Sequence, residues 1–213
     1  MMPGRLIVFE GVEGSGKTTQ AAMLAQWLGQ VGIPHRLTRE PGGTDVAEQI
    51  RSVILHGDDI TIETELLLVL AARAAHVREL IQPSLEAGQI VVCDRYELST
   101  LAYQGVGREL GLERVRVLND FATGGLHPDL TIVVDVPTAV GEARRARSRP
   151  SSDRIERAGD AFHHRVAEAY RLLASQEEAV ELVDGTPAPA FVHEAVIRLL
   201  RARFSETFPS ITG

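Results

Sequence analysis

Eight residues near the amino terminus, Gly11-Val-Glu-Gly-Ser-Gly-Lys-Thr18, constrain this chain more than any other stretch. Before them runs Arg5-Leu-Ile-Val-Phe-Glu10, the short apolar pattern of a strand buried on both faces. After them Ala21, Ala22, Leu24, Ala25 and Leu28 recur at helical spacing, and Gly29 and Gly32 mark a stop. Strand, glycine-rich turn and helix in that order predict a βα unit whose turn collects backbone N–H groups at a helix N-terminus, a place for an anion. The full match to G-x-x-x-x-G-K-[ST] makes that anion the phosphates of a nucleoside triphosphate. Gly11, Val12, Glu13, Gly14, Ser15, Gly16 and Thr19 form or flank the cradle, Lys17 reaches the β/γ-phosphates, and the Thr18 hydroxyl ligates Mg²⁺. Composition sharpens the point. Of 22 basic residues 21 are arginine, and Lys17 is the lone lysine, kept where a compact ammonium serves better than a flat fork.

The rest of the chain alternates strand and helix. Strands are expected over 5–10, 35–39, 90–93, 131–135 and 180–183. Helices are expected over 18–29, 44–55 (capped by Thr44), 61–80 (stopped by Pro83 and Gly88), 97–105, 112–122, 138–147, 159–178 and 190–203. This order predicts an α/β fold of three layers, a five-stranded parallel sheet flanked by helices, of the phosphate-loop NTPase type. One kinase-sized domain accounts for all 213 residues. Ligands of such sheets bind beyond the carboxyl ends of the strands. There the first strand leads into the phosphate loop, the second into Glu40-Pro-Gly-Gly43, and the third into Asp94-Arg-Tyr96.

Several classes are disfavoured. A net charge of −7 argues against a nucleic-acid partner. No apolar run is long enough to span a bilayer and no signal peptide is apparent, so no membrane partner is expected. With a single cysteine, Cys93, read as a buried strand residue, the cytoplasm is the expected location. A GTPase would carry N-K-x-D, which a chain with one lysine cannot supply. The size fits a small nucleotide kinase, with small-molecule nucleotides as partners. Asp94 would hold Mg²⁺ or its waters, and Arg95 would clamp phosphate bidentately. Tyr96, Ser99, Thr100, Tyr103 and Gln104 follow at i, i+3, i+4, i+7 and i+8, one helix face able to read the polar edge of a base or sugar.

Glu10-Gly-Val-Glu-Gly-Ser-Gly-Lys-Thr-Thr19, Thr38-Arg-Glu-Pro-Gly-Gly-Thr44, Asp94-Arg-Tyr96 with Ser99, and Ala102-Tyr-Gln-Gly105 together resemble the bacterial thymidylate kinases in order and spacing, from Arg5 to about residue 200. The resemblance implies transfer of the ATP γ-phosphoryl to dTMP, giving dTDP and ADP, with Mg²⁺. It implies that Glu13 accepts from the 3′-hydroxyl of the acceptor, that Arg39 and Arg95 hold its phosphate, and that Arg73 donates to a thymine carbonyl. It further implies that Pro41, Val69, Ser99, Thr100 and Gln104 line the base pocket and that Tyr103 crowds the 2′ position. A homodimer packed through helices, the long apolar one among them, is also implied. Two alternatives stay open: a kinase for another nucleoside monophosphate, and a non-catalytic nucleotide-binding regulator.

Arg144, Arg145, Arg147, Arg149 and Arg154 surround a Ser-Arg-Pro-Ser-Ser stretch without apolar periodicity, read as a mobile lid over about 146–156. In the resembled family a basic residue stands either inside the loop, at the position of Gly14, or in the lid; Gly14 assigns this chain to the second group. Arg149 or Arg154 is then expected to stabilise the transferring phosphoryl, with Arg147 a weaker candidate and Arg145 placed near the donor nucleotide. For Arg144 and Arg145 a solvated helix face is the alternative reading. The family usually has phenylalanine where this chain has Val69, which predicts weaker acceptor binding or looser base selection.

Overall fold

A computed structural model describes residues 3–57, 60–148 and 154–208. Five parallel strands lie in the order β2-β3-β1-β4-β5. They are β1 (Arg5–Glu10), β2 (His35–Arg39), β3 (Ile90–Asp94), β4 (Leu130–Asp135) and β5 (Val180–Asp184). β1 is central, paired to β3 through Val8 opposite Cys93 and to β4 through Phe9 opposite Ile132. The chain leaves β1 toward β2, beyond β3, and later returns to β4 on the other side. The loop after β1 therefore sits where the winding reverses, the place where such sheets take ligands.

Two apolar layers hold the sheet. Ile7, Phe9, Val92 and Ile132 face α1 (Lys17–Gln30) and α9 (Pro189–Arg203) through Leu24, Leu28, Val196 and Leu200. Leu6, Val8, Val91 and Cys93 face Val77, Ile81 and Tyr96 on the other side. Each of these large side chains stabilises by about 1.5–3 kcal/mol on burial. A third cluster gathers Leu66, Leu70, Tyr103, Val115, Phe162 and Tyr170 beside the site. It joins α3 (Ile62–His76), α6 (Leu112–Thr123) and α8 (Asp160–Gln176). α2 (Asp45–His56) starts where expected: the Thr44 hydroxyl accepts from the Ala47 N–H at 3.4 Å, and Asp45 and Glu48 lie in the first turn, where the helix dipole favours them.

Three local expectations are corrected. Pro83 does not stop the long helix: α3 continues through a π-helical stretch, Val77–Ile81, into α4 (Gln82–Glu86), where Pro83 occupies one of the first two positions. At a helix start the N–H that proline lacks is an orphan anyway. α5 (Glu97–Thr100) also passes into a π-helical stretch, Leu101–Gly107, a widening common near functional sites. His163, read as helix surface, is buried with its ring edge-on to Phe162. α7 (Thr138–Ser148) leads into the segment read as a lid. Arg149 lies outside the described residues, as do the side chains of Arg145 and Arg147. Among the described residues no helix is long and apolar enough to cross a membrane.

Candidate active site

The phosphate loop keeps its shape through glycine. Gly11, Gly14 and Gly16 all have positive φ, +134°, +75° and +101°, which other residues adopt only at a cost. At Gly14 space matters as well, because a Cβ there would collide with the Gly141 carbonyl of α7. A long basic side chain at this position would displace α7, so the loop carries no built-in cation beyond Lys17. Lys17 is buried, its Nζ 3.4 Å from the Val12 carbonyl. Burial, with the Arg95 charge nearby, lowers its pKa from the ordinary lysine value. An anion brought to the loop would reverse that shift.

The carboxyl end of β3 meets the loop. The Thr18 hydroxyl donates to Asp94 Oδ2 at 2.5 Å, and Asp94 Oδ1 is buried with no hydrogen-bond partner. A hydroxyl, a carboxylate and an orphaned carboxylate oxygen form an oxygen-only set that suits Mg²⁺, which takes one or two protein ligands plus phosphate oxygens and water. Among the described residues no group of three or more histidine, cysteine, aspartate or glutamate side chains could form an all-protein metal cage.

Arg95 joins the two halves of the site. Its backbone is left-handed, φ +74°, a conformation that costs a non-glycine residue of order 1–3 kcal/mol and persists where surroundings over-determine it. Here the Arg95 N–H donates to the Phe9 carbonyl at 2.9 Å, and the Arg95 carbonyl accepts from the Cys93 thiol. The guanidinium then fans out. Nη2 donates to Glu13 Oε1 of the phosphate loop at 2.8 Å and to the Tyr103 hydroxyl at 3.1 Å, while Nη1 donates to Ser99 and Tyr170. Beneath it Glu10 is fully buried. Its Oε1 accepts from the Tyr96 and Ser99 N–H groups and its Oε2 from the Ser99 and Tyr170 hydroxyls. Burial raises the Glu10 pKa despite the Arg95 charge. Tyr103, buried beside Arg95, has its phenol pushed up to about 12.

A cleft of about 220 Å³ opens from this junction. Glu13, Gly14, Lys17 and Thr18 line one end, Arg39, Pro41, Val69, Arg73, Ser99, Thr100, Tyr103 and Gln104 the other, with Asp94 and Arg95 between. The structure thus brings the residues expected for the acceptor into one cavity with Glu13, Gly14, Lys17 and Thr18 of the donor loop, whereas Ser15, Gly16 and Thr19 face away from it. Glu40–Pro41 is a cis peptide. Tyr96 departs from its expected face: it is buried beneath the cleft, and its hydroxyl donates to the Leu126 carbonyl at 3.0 Å.

Arg73 differs from a free base reader. It is 1% exposed, and four of its five N–H groups are committed: Nε to Glu40, Nη1 to Thr100 and Asn119, Nη2 to the Tyr96 carbonyl. One N–H remains for the cleft. Glu40 also bonds His76, which reaches Thr38 through its other ring nitrogen, so His76 supports the cleft wall from behind. Burial alone would raise Glu40, but the Arg73 charge and the His76 hydrogen bond outweigh it and hold the carboxyl below the usual range.

Arg154, expected over the transferring phosphoryl, is elsewhere. Its Nε donates to the Ile54 carbonyl at 3.0 Å and its Nη1 lies 2.7 Å from Glu65 Oε2, leaving Nη2 buried and unpartnered. Glu65 is a buried carboxylate that accepts from Gln104 and Arg108 and pairs with Arg154. Arg144 does not sit on a solvated face, the alternative weighed for it. It donates to the Gly185 carbonyl at 2.9 Å and the Thr186 carbonyl at 3.2 Å. With Ser15, Gly16, Thr19, Gln20 and the turn from Gly185 to Pro189 it walls a second cavity on the far side of the phosphate loop. The signal for this cavity was in the sequence: Gly185-Thr-Pro follows β5 as the phosphate loop follows β1.

A phosphate loop, a carboxylate–hydroxyl pair and an arginine set between the two ends of one cleft define a phosphoryl-transferring kinase of the phosphate-loop class. Comparison with known proteins makes the class particular. Residues 9–196 match the family model described as thymidylate kinase. A thymidylate kinase of Trichormus variabilis is 45% identical over 209 residues, covering 96% of this chain and 99% of that relative. One from Thermomicrobium roseum is 49% identical over 191 residues, covering 89% and 91%. The crystal structure of thymidylate kinase from Ehrlichia chaffeensis superposes with a TM-score of 0.75 at 32% identity, covering 93% of this chain and 99% of that one. The chain belongs to the thymidylate kinase family. It is accordingly a transferase that phosphorylates dTMP with ATP as donor.

Proposed function

We propose that the cleft performs an in-line transfer in which Arg95 aligns the two nucleotides. The observation that carries this is the Arg95 guanidinium, held between Glu13 of the donor loop and the Ser99–Tyr103 wall of the acceptor compartment. When dTMP enters, Arg95 and Arg39 take its phosphate; Arg39 is half exposed, and among the described residues its ion pair is with the surface residue Glu48, which a phosphate can displace. Glu13, released from Arg95, accepts from the sugar hydroxyl. The buried Tyr103 ring closes the space at the 2′ position. Arg73 gives its remaining N–H to a base carbonyl, and Val69, Pro41, Thr100 and Gln104 enclose the ring.

On the donor side the loop N–H groups and Lys17 hold the β- and γ-phosphates, and Arg144 with the Gly185–Pro189 turn receives the base. Thr18 and Asp94 would hold Mg²⁺, which neutralises charge on the bridging phosphate oxygens. Two phosphates approaching in line need positive charge from several sides, and positioning plus electrostatics carry most of such a reaction. Lys17 supplies it from the donor and Arg95 from the acceptor. The lid arginines Arg147, Arg149 and Arg154 add it once both nucleotides are bound, Arg154 leaving Glu65 to do so. A lid that completes the site only at that moment limits wasteful hydrolysis.

One domain spans the chain, with its lid at about 146–156. Val53 of α2, Leu67 of α3, and Val117 and Phe121 of α6 are exposed, Phe121 by 87%, an apolar surface that suits a second copy of the chain. A single cysteine, buried, fits work in the reducing cytoplasm. A coupled ADP-release assay across dTMP, dUMP, UMP, CMP and AMP tests the reading. It predicts highest kcat/KM for dTMP, with dUMP next and the ribonucleotides far below; equal turnover of CMP or AMP would overturn it.

A further inference from the structure

Glu65 lies one layer behind the cleft and is 1% exposed, yet three side chains converge on it. Gln104 Nε2 donates to its Oε1 at 2.7 Å, Arg108 reaches both oxygens at 3.3 and 3.1 Å, and Arg154 lies 2.7 Å from Oε2. Such a carboxylate only accepts hydrogen bonds. Burial alone would raise its pKa, but the bonds from Gln104 and Arg108 outweigh that and hold it below the usual range. The Gln104 amide therefore has one permitted orientation. Its nitrogen must face Glu65, and its oxygen is turned to the opposite side. Gln104 lines the cleft, and its oxygen is not among the buried atoms without a partner.

We propose that Glu65 is a specificity-determining positioning residue: it locks the Gln104 amide so that the acceptor compartment presents a carbonyl oxygen, selecting bases with a ring N–H beside a carbonyl. This rests on the reading of that compartment as the dTMP site. Gln104 supplies one acceptor there and Arg73 its one remaining donor. A thymine edge offers N3–H and a flanking carbonyl, the complementary pair. A cytosine edge offers an unprotonated ring nitrogen and an amino group, so acceptor would face acceptor and donor would face donor. A free glutamine amide would tolerate both bases by flipping; Glu65 forbids the flip. A correctly placed pair of this kind discriminates bases by about 5- to 150-fold.

The test uses the whole chain and measures the KM for dTMP and the Ki of dCMP as competitor, in wild type, Glu65→Gln, Gln104→Met and the double variant. A glutamine at 65 presents either a donor or an acceptor to Gln104, so the lock is lost. The ratio of dCMP Ki to dTMP KM should fall by about 5- to 150-fold in each single variant. The double variant should fall no further, because Glu65 acts through Gln104. An unchanged ratio in Glu65→Gln, or a double variant that falls by the product of the two, overturns the proposal. If Glu65→Gln does not fold, Gln104→Met decides alone, since it leaves Glu65 with both arginines; an unchanged ratio there overturns the proposal. A wild-type chain that fails to phosphorylate dTMP refutes the acceptor reading itself, and the proposal with it. A working wild type with unmoved ratios refutes the proposal alone.

Discussion

Glu40→Gln is the perturbation whose size follows most directly from the structure. Glu40 Oε2 lies 2.7 Å from Arg73 Nε and Oε1 lies 3.0 Å from His76 Nδ1, with both carboxylate and guanidinium almost wholly out of water. Glutamine keeps the shape and removes the charge. Arg73 is then left as an uncompensated buried cation. Breaking a buried pair from one side costs about 3–5 kcal/mol. At about 2–4 °C per kcal/mol for a chain of this size, Tm should fall by roughly 6–20 °C. The pH dependence carries the sign. Glu40 is held below its ordinary 4.5, so its contribution is complete above the unfolded value and is lost as pH falls through the lower folded value. The gap between wild type and variant should thus be widest near neutrality and narrow as pH falls through the lowered folded value. Thermal unfolding of both proteins across that range, with the KM for dTMP at neutrality, is the assay. A neutral Tm change under about 2 °C, or a gap that widens in acid, would refute the view that this pair holds Arg73 in the cleft wall.

Val69→Phe should lower the KM for dTMP by about 5- to 150-fold, because base–aromatic stacking is worth roughly 1–3 kcal/mol; an unchanged or higher KM would mean that another group already covers the ring. Gly14→Arg should lose both stability and kcat, since its Cβ meets the Gly141 carbonyl and its φ is +75°; wild-type kcat in this variant would contradict the account of why the charge sits in the lid. Methionine at Arg147, Arg149 or Arg154 should reduce kcat by about 10³-fold at the position that reaches the transferring phosphoryl. Steady-state kinetics that leave kcat unchanged at all three would refute the lid assignment.

Much of this was legible in the sequence because it is local. All five strands fall within a residue of their expected bounds, four of them as short apolar runs rich in valine, isoleucine or leucine. The phosphate loop, Asp94-Arg95 and the hydroxyl-bearing face of Ser99, Thr100, Tyr103 and Gln104 are contiguous or at fixed helical spacing, so their placement follows from one element each. What was not legible depends on partners far apart in the chain. Glu65 meets Gln104 across 39 positions and Glu10 meets Tyr170 across 160, and nothing in either local pattern distinguishes these glutamates from surface ones. Arg73 shows the same limit: the resemblance implies a reader of bases, whereas four distant partners make it mostly a brace. Arg144 and Arg154 belong to an arginine-rich stretch whose composition suggests solvent, yet each finds backbone carbonyls that only the folded chain brings near. Pro83 is compatible with a continuing helix because proline's effect depends on whether it begins a helical segment or interrupts one.

The most direct test of the central claim follows the phosphoryl group itself. ATP labelled in its γ-phosphate is incubated with the chain, Mg²⁺ and dTMP, and the products are separated. If Lys17, Arg95 and the shared cleft align two nucleotides for direct transfer, the label appears in dTDP in step with ADP formation, and little is released when dTMP is withheld. Label recovered as free phosphate at the same rate with or without dTMP would contradict the account.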